Sequence, residues 1–237
     1  VIKDYEQARE HAKKISAMGR DARKQATGSA PLWGLPFVLK DLGVSMTGTV
    51  TSNGCAFYKD AVATQDSTLV ARYKAAGLNI FGKTASPEFG MTATTESKLY
   101  GATLNPWNTK HTTGGSSGGT AAVIAAGILP VGHASDGGGS IRIPAAHCGL
   151  FGLKPSRGRI PAGPSSLDGA TGLSVNHVIS RSVRDTALLL DLSAGPEFGS
   201  RVRPPSDSPR GYLEAMQKPE RKLRIAIWRK NYFGTPV

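Results

Sequence analysis

The sequence predicts an α/β layered domain, and three observations lead to that prediction. Short apolar runs typical of buried strands occur at residues 35–39 and 78–82. Segments with helical periodicity or helix-capping residues alternate with these runs along the chain. The hydrophobic content of 39% in 237 residues is enough for a packed core.

The N-terminal elements follow from local patterns. A helix is predicted from Asp4 to Met18, where apolar residues recur on one face. Residues 20–34 predict a polar connector, and residues 35–39 predict a strand that ends at Lys40. Because a buried lysine charge is costly, the simpler interpretation is a surface Lys40 paired with Asp41.

Residues 44–65 are rich in Thr, Ser and Gly and predict irregular chain. Residues 66–68 predict the start of a helix that runs to Ala76, with Gly77 as its stop. The run 77–84 also matches the phosphate-loop pattern G-x-x-x-x-G-K-[ST]. Its four middle residues look like a strand instead of a loop, so nucleotide binding is not expected there.

The C-terminal elements are predicted in the same way. Residues 91–113 and 155–164 predict loops, and Ser182 begins a capping box for a helix ending near Gly195. Residues 196–220 predict a linker. The remaining predicted elements are helices at 120–128 and 143–148, strands at 129–133 and 222–228, and a compact apolar run at 149–154.

Composition limits the class of protein. The net charge of +12 comes from basic residues spread over both ends, which favours a solvated basic surface over a nucleic-acid partner. Two cysteines are too few for a disulfide framework, so a reducing, cytoplasmic location is expected. No apolar run reaches about 18 residues, so no membrane span is predicted.

Two glycine-rich clusters dominate the centre of the chain, Gly114-Gly115-Ser116-Ser117-Gly118-Gly119 and Asp136-Gly137-Gly138-Gly139-Ser140. Glycines that dense are typical of backbone N–H groups that face an anion or a developing negative charge. A phosphate cradle lacks its supporting motif residues. A serine-hydrolase elbow at 114–118 would need a histidine, and His133, His147 and His177 each look structural. No histidine spacing supports zinc, and no metal or cofactor is expected.

A third interpretation accounts for both clusters. Ser140 precedes a helix and follows three glycines, as a nucleophile beside an oxyanion hole would. Lys40 is the natural base if burial lowers its pKa toward neutrality. Ser116 would then relay protons between Lys40 and Ser140.

The motifs together resemble the amidase signature family. The resemblance runs from residue 34 to about 195, and each motif is weak alone whereas their ordered combination is specific. The matching motifs are Gly-Leu-Pro-Phe-Val-Leu-Lys-Asp at 34–41, Gly-Lys-Thr at 82–84 with Glu-Phe at 88–89, Asn-Pro-Trp at 105–107, the glycine clusters at 114–119 and 136–145, Cys-Gly at 148–149 and Gly-Leu-Lys-Pro at 152–155.

The resemblance implies a Ser–cis-Ser–Lys triad with Ser140 as nucleophile, Ser116 as relay and Lys40 as base. It implies a cis peptide between Gly115 and Ser116. It also implies an oxyanion hole from the N–H groups of Gly137, Gly138, Gly139 and Ser140, with Ser117, Asp136 and Arg142 in supporting positions. The implied fold is a mixed central β-sheet with helices on both faces. Residues 1–237 would form one domain of this family whose N- and C-terminal parts are missing.

The implied function is hydrolysis of the C–N bond of a small-molecule amide. The contexts around Lys40 and residues 158–164 are similar to the branch that contains the 6-aminohexanoate cyclic dimer hydrolase. One alternative is an amidotransferase subunit acting on tRNA-linked Glu, and another is a catalytically silent binding relative. A homodimer is a further expectation.

Overall fold

The computed structural model describes residues 2–166, 169–202, 211–217, 222, 224–226 and 233–234. Helices alternate with strands along most of this range, as the sequence predicts for an α/β protein. The helices are α1 Tyr5–Ala17, α2 Arg20–Ser29, α3 Thr68–Ala75, α4 Gly118–Ala125, α5 Arg142–His147, α6 Gly169–Gly172, α7 Val183–Ser193 and α8 Tyr212–Gln217. The strands are β1 Ile2–Lys3, β2 Pro36–Lys40, β3 Asn79–Thr84, β4 Glu96–Ser97, β5 Gly101–Ala102, β6 Leu104–Asn105, β7 Asn108–Thr112, β8 Val131–Asp136, β9 Phe151–Gly152 and β10 Val175–Ser180.

The first sheet has the strand order β1-β3-β2 and mixed direction. β2 pairs with β3 in parallel, whereas β1 pairs with β3 antiparallel. The register between β2 and β3 shifts between Phe37 and Leu39. Both predicted strands are confirmed, and β3 continues two residues beyond its predicted end, to Thr84. This sheet brings Lys40 to the end of a buried strand.

The second sheet has the order β8-β10-β9 and is antiparallel. β10 pairs with β8 along six residues, from Val175 opposite Asp136 to Ser180 opposite Val131. β10 is not predicted from the sequence, because its residues Val-Asn-His-Val-Ile-Ser do not alternate between apolar and polar. All six are buried.

Helices cover both faces of the second sheet. Val178 packs in a core cluster with residues of α3 and α7, and its neighbour Ile179 packs in a separate cluster with residues of α4 and α5. Successive strand residues point to opposite faces, so the two clusters lie on opposite faces of β10. The mixed α/β architecture is therefore confirmed, although the predicted single sheet is divided into two hydrogen-bonded sheets whose strands β2 and β8 lie side by side.

Several element predictions are corrected. Residues 20–34 do not form only a connector, because α2 occupies Arg20–Ser29 despite its polar composition. Residues 91–113 contain two short antiparallel strand pairs, β4–β5 and β6–β7. Within the predicted linker at 196–220, α8 forms at Tyr212–Gln217.

The strand predicted at 222–228 lies largely outside the described residues, and residues 222 and 224–226 have no regular structure. The predicted capping at Ser182 is confirmed, because its side chain accepts a hydrogen bond from the backbone N–H of Asp185 at 3.1 Å. Among the described helices, none has the length and apolar character needed to cross a membrane.

Candidate active site

Lys40 lies at the C-terminal end of β2 with a fully buried side chain, 0% exposed. Its Nζ lies 2.7 Å from the Oγ of Ser116 and 3.0 Å from the Oγ of Ser135. The simpler interpretation of a surface lysine paired with Asp41 is wrong. The Asp41 carboxylate accepts hydrogen bonds from the loop residues Ser52 and Gly54 instead.

Burial of Lys40 lowers the pKa of its ammonium group from 10.5 to about 7, and the negative charge of Asp136 only partly opposes this effect. At neutral pH a large fraction of Lys40 is therefore unprotonated. The neutral amine presents a lone pair to a serine hydroxyl at hydrogen-bonding distance. A group in this state can accept a proton from Ser116.

Ser116 is held in a tightly packed loop just before α4. The peptide between Gly115 and Ser116 is cis, as the family resemblance implies. A Cβ atom on Gly115 would lie 2.4 Å from the carbonyl oxygen of Thr94, so only glycine fits at that position. Ser117 anchors the loop, because its Oγ donates to the carbonyl of Ser135 and accepts from the Ser135 N–H. Ser116 consequently faces Lys40 from a fixed backbone.

Ser140 follows β8 and lies just before α5, in the loop that begins at Asp136. The buried Asp136 carboxylate organises this loop by accepting hydrogen bonds from the N–H groups of Gly139, at 2.8 Å, and Ile141, at 3.1 Å. Arg142 donates two further hydrogen bonds to the Asp136 carboxylate, from Nε at 3.0 Å and from an Nη at 2.9 Å. Ser117, Asp136 and Arg142 thus all contact the loops that carry the two serines.

The pKa of Asp136 is held below its ordinary value. Burial acts to raise it, but the hydrogen bonds from Arg142, Ile141 and Gly139 together outweigh burial. The carboxylate is therefore ionised and can hold its donors at neutral pH. Its negative charge also raises the pKa of Lys40, so Asp136 affects the protonation of the base in addition to holding the loop.

The backbone amides predicted as an oxyanion hole divide into two groups. The Gly139 N–H already donates to Asp136, so it is not free to bind another oxygen in this arrangement. Among the described residues, the N–H groups of Gly137, Gly138 and Ser140 have no hydrogen-bond partner. These three amides are the ones available to hold an oxyanion.

An open cleft of about 630 Å³ contains Ser116, Ser135 and Ser140 in its wall. Its described lining carries no charged side chain. The other lining residues are Leu42, Phe89, Gly90, Met91, Thr92, Ala93, Gly137, Gly138, Ile143, Leu173 and Ser174. The cleft therefore presents the hydroxyls of Ser116 and Ser140, with those of two further serines, and free backbone amides beside mainly apolar walls.

Other candidate groups do not assemble a competing site. Among the described contacts, none of His133, His147 and His177 bonds to the hydroxyl of Ser116 or Ser140. Lys83 of the apparent phosphate loop is buried in β3, where its Nζ donates to the carbonyl of Val50 and to Thr51. No group of three or more His, Cys, Asp or Glu side chains in the described ranges is arranged to hold a metal ion.

Sequence reasoning missed two residues that contact Lys40. The Ser135 Oγ accepts a hydrogen bond from the Lys40 Nζ, and the His133 Nδ1 accepts one from the backbone N–H of Lys40. Neither lies in a recognisable catalytic pattern. The only signal in the sequence is their position one and three residues before Asp136 in β8.

The chain is similar in sequence and in fold to known proteins. A family model described as Amidase matches residues 1–236. The chain is 40% identical over 216 residues to the 6-aminohexanoate-cyclic-dimer hydrolase of Paenarthrobacter ureafaciens, covering 90% of this chain and 44% of that protein. It is 51% identical over 188 residues to the putative amidase AmiB2 of Mycobacterium bovis, covering 78% of this chain and 40% of that protein.

A solved structure of 6-aminohexanoate cyclic dimer hydrolase complexed with substrate superposes with a TM-score of 0.86 at 37% identity. The match covers 97% of this chain and 46% of that chain. The chain therefore spans less than half the length of the curated relatives it matches.

Proposed function

Because this chain belongs to the amidase family, we propose that the protein containing it is an amide hydrolase that cleaves a carboxylic amide C–N bond through an acyl-enzyme on Ser140. The observation that carries the proposal is the contact of 2.7 Å between the buried Lys40 Nζ and Ser116 Oγ. A lysine whose pKa lies near neutrality is a competent base for a serine relay.

The proposed reaction begins with a proton transfer. Neutral Lys40 takes the proton of Ser116, which takes the proton of Ser140 as the Ser140 Oγ attacks the amide carbonyl carbon. The carbonyl π electrons move to oxygen, and the amides of Gly137, Gly138 and Ser140 stabilise the resulting oxyanion.

The tetrahedral intermediate collapses with cleavage of the C–N bond. The proton held by Lys40 returns through Ser116 to the leaving nitrogen. Water then attacks the carbonyl carbon of the ester on Ser140 and gives a proton through Ser116 to Lys40. The bond between that carbon and the Ser140 Oγ breaks, the proton returns through Ser116 to the Oγ, and the carboxylic acid is released. Asp136 and Arg142 act by holding the 137–140 loop, and Ser117 acts by holding the Ser116 loop against β8.

The cleft supports an uncharged amide as substrate. Its described lining has no cation or anion that would pair with the ammonium and carboxylate groups of glutamine. The glutaminase alternative is therefore not favoured. The cyclic dimer named for the relatives is a diamide without a formal charge, and it is the first compound to include in a substrate panel.

Active-site labelling of the full-length protein tests the proposal. A fluorophosphonate should attach to Ser140, located by mass spectrometry of the digested protein. Ser140→Ala should abolish labelling, and Lys40→Ala should abolish both labelling and amide cleavage while circular dichroism shows a folded protein. Folded wild-type protein that neither reacts with the probe nor cleaves any amide in the panel would instead identify a silent binding relative.

Three broader points belong to the same proposal. Residues 1–237 form part of one catalytic domain. A cytoplasmic location is supported by two cysteines that form no disulfide, Cys55 and Cys148. A homodimer stays a prediction, to be checked by light scattering of the full-length protein.

A further inference from the structure

The strand that carries Lys40 meets the second sheet at a boundary, which we call the β2–β8 seam, formed by residues 36–40 and 131–136. The two strands lie side by side but belong to separate hydrogen-bonded sheets. Across the seam, the backbone N–H of Lys40 donates to Nδ1 of His133 at 3.1 Å. Both residues are 0% exposed. A side chain therefore takes the place of a backbone partner at the residue that carries the proposed base.

The peptide group between Leu39 and Lys40 is held at both ends by side chains. Its carbonyl accepts from the Oγ1 of Thr84 at 3.1 Å, and its N–H donates to His133. Thr84 Oγ1 also lies 2.7 Å from Thr120 Oγ1, which in turn lies 2.8 Å from the carbonyl oxygen of His133. Each hydroxyl has a single proton, so the two threonines donate two hydrogen bonds among these three contacts. Both threonines thus lie against the backbone of the residues that meet at the seam.

We propose that His133 is a positioning residue for the reaction, whose neutral imidazole fixes the backbone of Lys40 so that Nζ meets Ser116. This inference rests on the proposed function, in which Lys40 is the base. His133 acts through Lys40 and does not line the cleft. Rotation of the Leu39–Lys40 peptide would swing the whole lysine side chain, and a displacement of about 1 Å can lower a catalysed rate about 100-fold.

The hydrogen bond fixes the tautomer of His133. Nδ1 accepts from Lys40, so the ring proton lies on Nε2, which faces the Oδ1 of Asn176 at 3.3 Å. A doubly protonated ring would turn an N–H toward the N–H of Lys40 and break the contact.

Electrostatics keep the ring in the accepting form. Burial, and secondarily the positive charge of Lys40, lower the pKa of His133 to about 3. The other titratable groups that act on it are Lys83 and His177, both of which also disfavour the imidazolium. His133 is thus neutral throughout the pH range in which Lys40 titrates.

His177 provides a matched control. It lies in β10, next to β8, is 0% exposed like His133, and among the described contacts its ring makes no hydrogen bond to Lys40, Ser116 or Ser140. A leucine at either position removes a buried imidazole from neighbouring strands of the same sheet. Only His133→Leu also removes the acceptor for Lys40.

The experiment compares full-length wild type, His133→Leu, His133→Asn and His177→Leu. Active sites are counted with a fluorophosphonate, and kcat and KM are measured for one amide that the wild type cleaves. We expect kcat per labelled site to fall roughly 10- to 100-fold in His133→Leu, with KM changed less than about threefold. His177→Leu should keep kcat within about threefold. His133→Asn should recover most of the loss, because its Oδ1 can accept at the position of Nδ1.

Two results would overturn the inference. One is a kcat per labelled site in His133→Leu that stays within about threefold of wild type, and the other is an equal loss in His177→Leu. If His133→Leu does not fold, Thr84→Val serves instead, since it removes the hydroxyl that holds the other end of the peptide, and the same kcat loss is expected. A wild type that neither labels nor cleaves amides would refute the proposed function itself, which separates the two failures.

Discussion

The Nζ of Lys40 and the Oγ of Ser116 lie 2.7 Å apart, although 76 residues separate them in the chain. Lys40 ends a strand of the first sheet, whereas Ser116 precedes the helix α4, which packs against both sheets. Ser135 of the second sheet is the other neighbour of Nζ, at 3.0 Å. The proposed base therefore lies where the two sheets and one helix meet.

Replacing the lysine by a neutral residue of similar length tests its role and its energetic cost together. Lys40→Met should lower kcat by roughly 10²- to 10⁴-fold, the range for loss of a general base. The same change should stabilise the fold at pH 7 by roughly 3–5 kcal/mol, because a lysine with a pKa of about 7 opposes folding at that pH. Urea titration and steady-state kinetics measure both effects. A less stable variant would show that the ammonium group is better accommodated than its burial indicates.

The pH dependence of activity should follow the protonation of Lys40. Activity needs the neutral amine, so kcat/KM should rise with pH through an inflection near 7 and then level off. The measurement is kcat/KM from pH 5 to 9 for an amide without titratable groups. An inflection near the ordinary lysine value of 10.5 would contradict the lowered pKa.

Stability should also rise with pH over a defined range. Between pH 7 and 10.5 the unfolded chain keeps the proton of Lys40 and the folded protein does not, so the free energy of unfolding increases with pH. Below pH 7 both states hold the proton and this contribution is flat. Lys83, whose pKa burial lowers to about 8, adds a smaller increase of the same sign. Urea titrations of Lys40→Met at several pH values should show a weaker slope than wild type.

The carboxylate of Asp136 should matter more for turnover than for substrate binding. Asp136→Asn replaces one acceptor oxygen by an amide donor that opposes the N–H groups of Gly139 and Ile141. We expect kcat to fall roughly 10- to 100-fold with little change in KM. Asp66→Asn is the control, because that carboxylate also accepts hydrogen bonds from a backbone N–H and a basic side chain, those of Thr47 and Lys74, but contacts neither of the loops that carry the two serines. Equal losses in both variants would argue against a role of the Asp136 loop.

The apolar wall of the cleft should determine binding of uncharged amides. Leu173→Asp places a charge in the wall of the cleft and should raise KM for an apolar amide by roughly 10-fold or more, because a carboxylate would replace an exposed apolar side chain that the bound amide covers. Ile128→Asp is the control, since Ile128 is also an exposed apolar residue but does not line the cleft. An unchanged KM in Leu173→Asp would show that the substrate occupies another part of the site.

The residue types and their positions were sufficient to predict that Lys40 ends a strand and to select Ser116 as its partner, whereas the cis peptide was expected only from the family resemblance. They did not reveal how the amides are shared. The N–H of Gly139 donates to Asp136. Which of the three consecutive glycines makes this hydrogen bond depends on the geometry of the loop, and the sequence alone does not show it. The Asp41 pairing failed for a related reason, since the partners of that carboxylate come from a loop 11 to 13 residues further along.

The fold was least predictable where composition and environment disagree. α2 has the polar sequence Arg-Asp-Ala-Arg-Lys-Gln-Ala-Thr-Gly-Ser, which lacks the apolar stripe of a core-facing helix. β10 is buried on both faces and includes Asn176 and His177, so its sequence lacks the two-residue alternation. His133 belongs to the same class, because a lone histidine in a strand carries no sign of its partner 93 residues away.

The placement of the base at the β2–β8 seam has a consequence for the newly made chain. Before the two sheets dock, Lys40 is solvated and keeps its ordinary pKa, so at neutral pH it is an ammonium ion without a lone pair to offer. The serine beside it is then an ordinary alcohol. The nucleophile is therefore activated only once the tertiary structure has formed. In a newly made or partly unfolded polypeptide, Ser140 is not activated, so it is not acylated by metabolites that contain amide or ester groups.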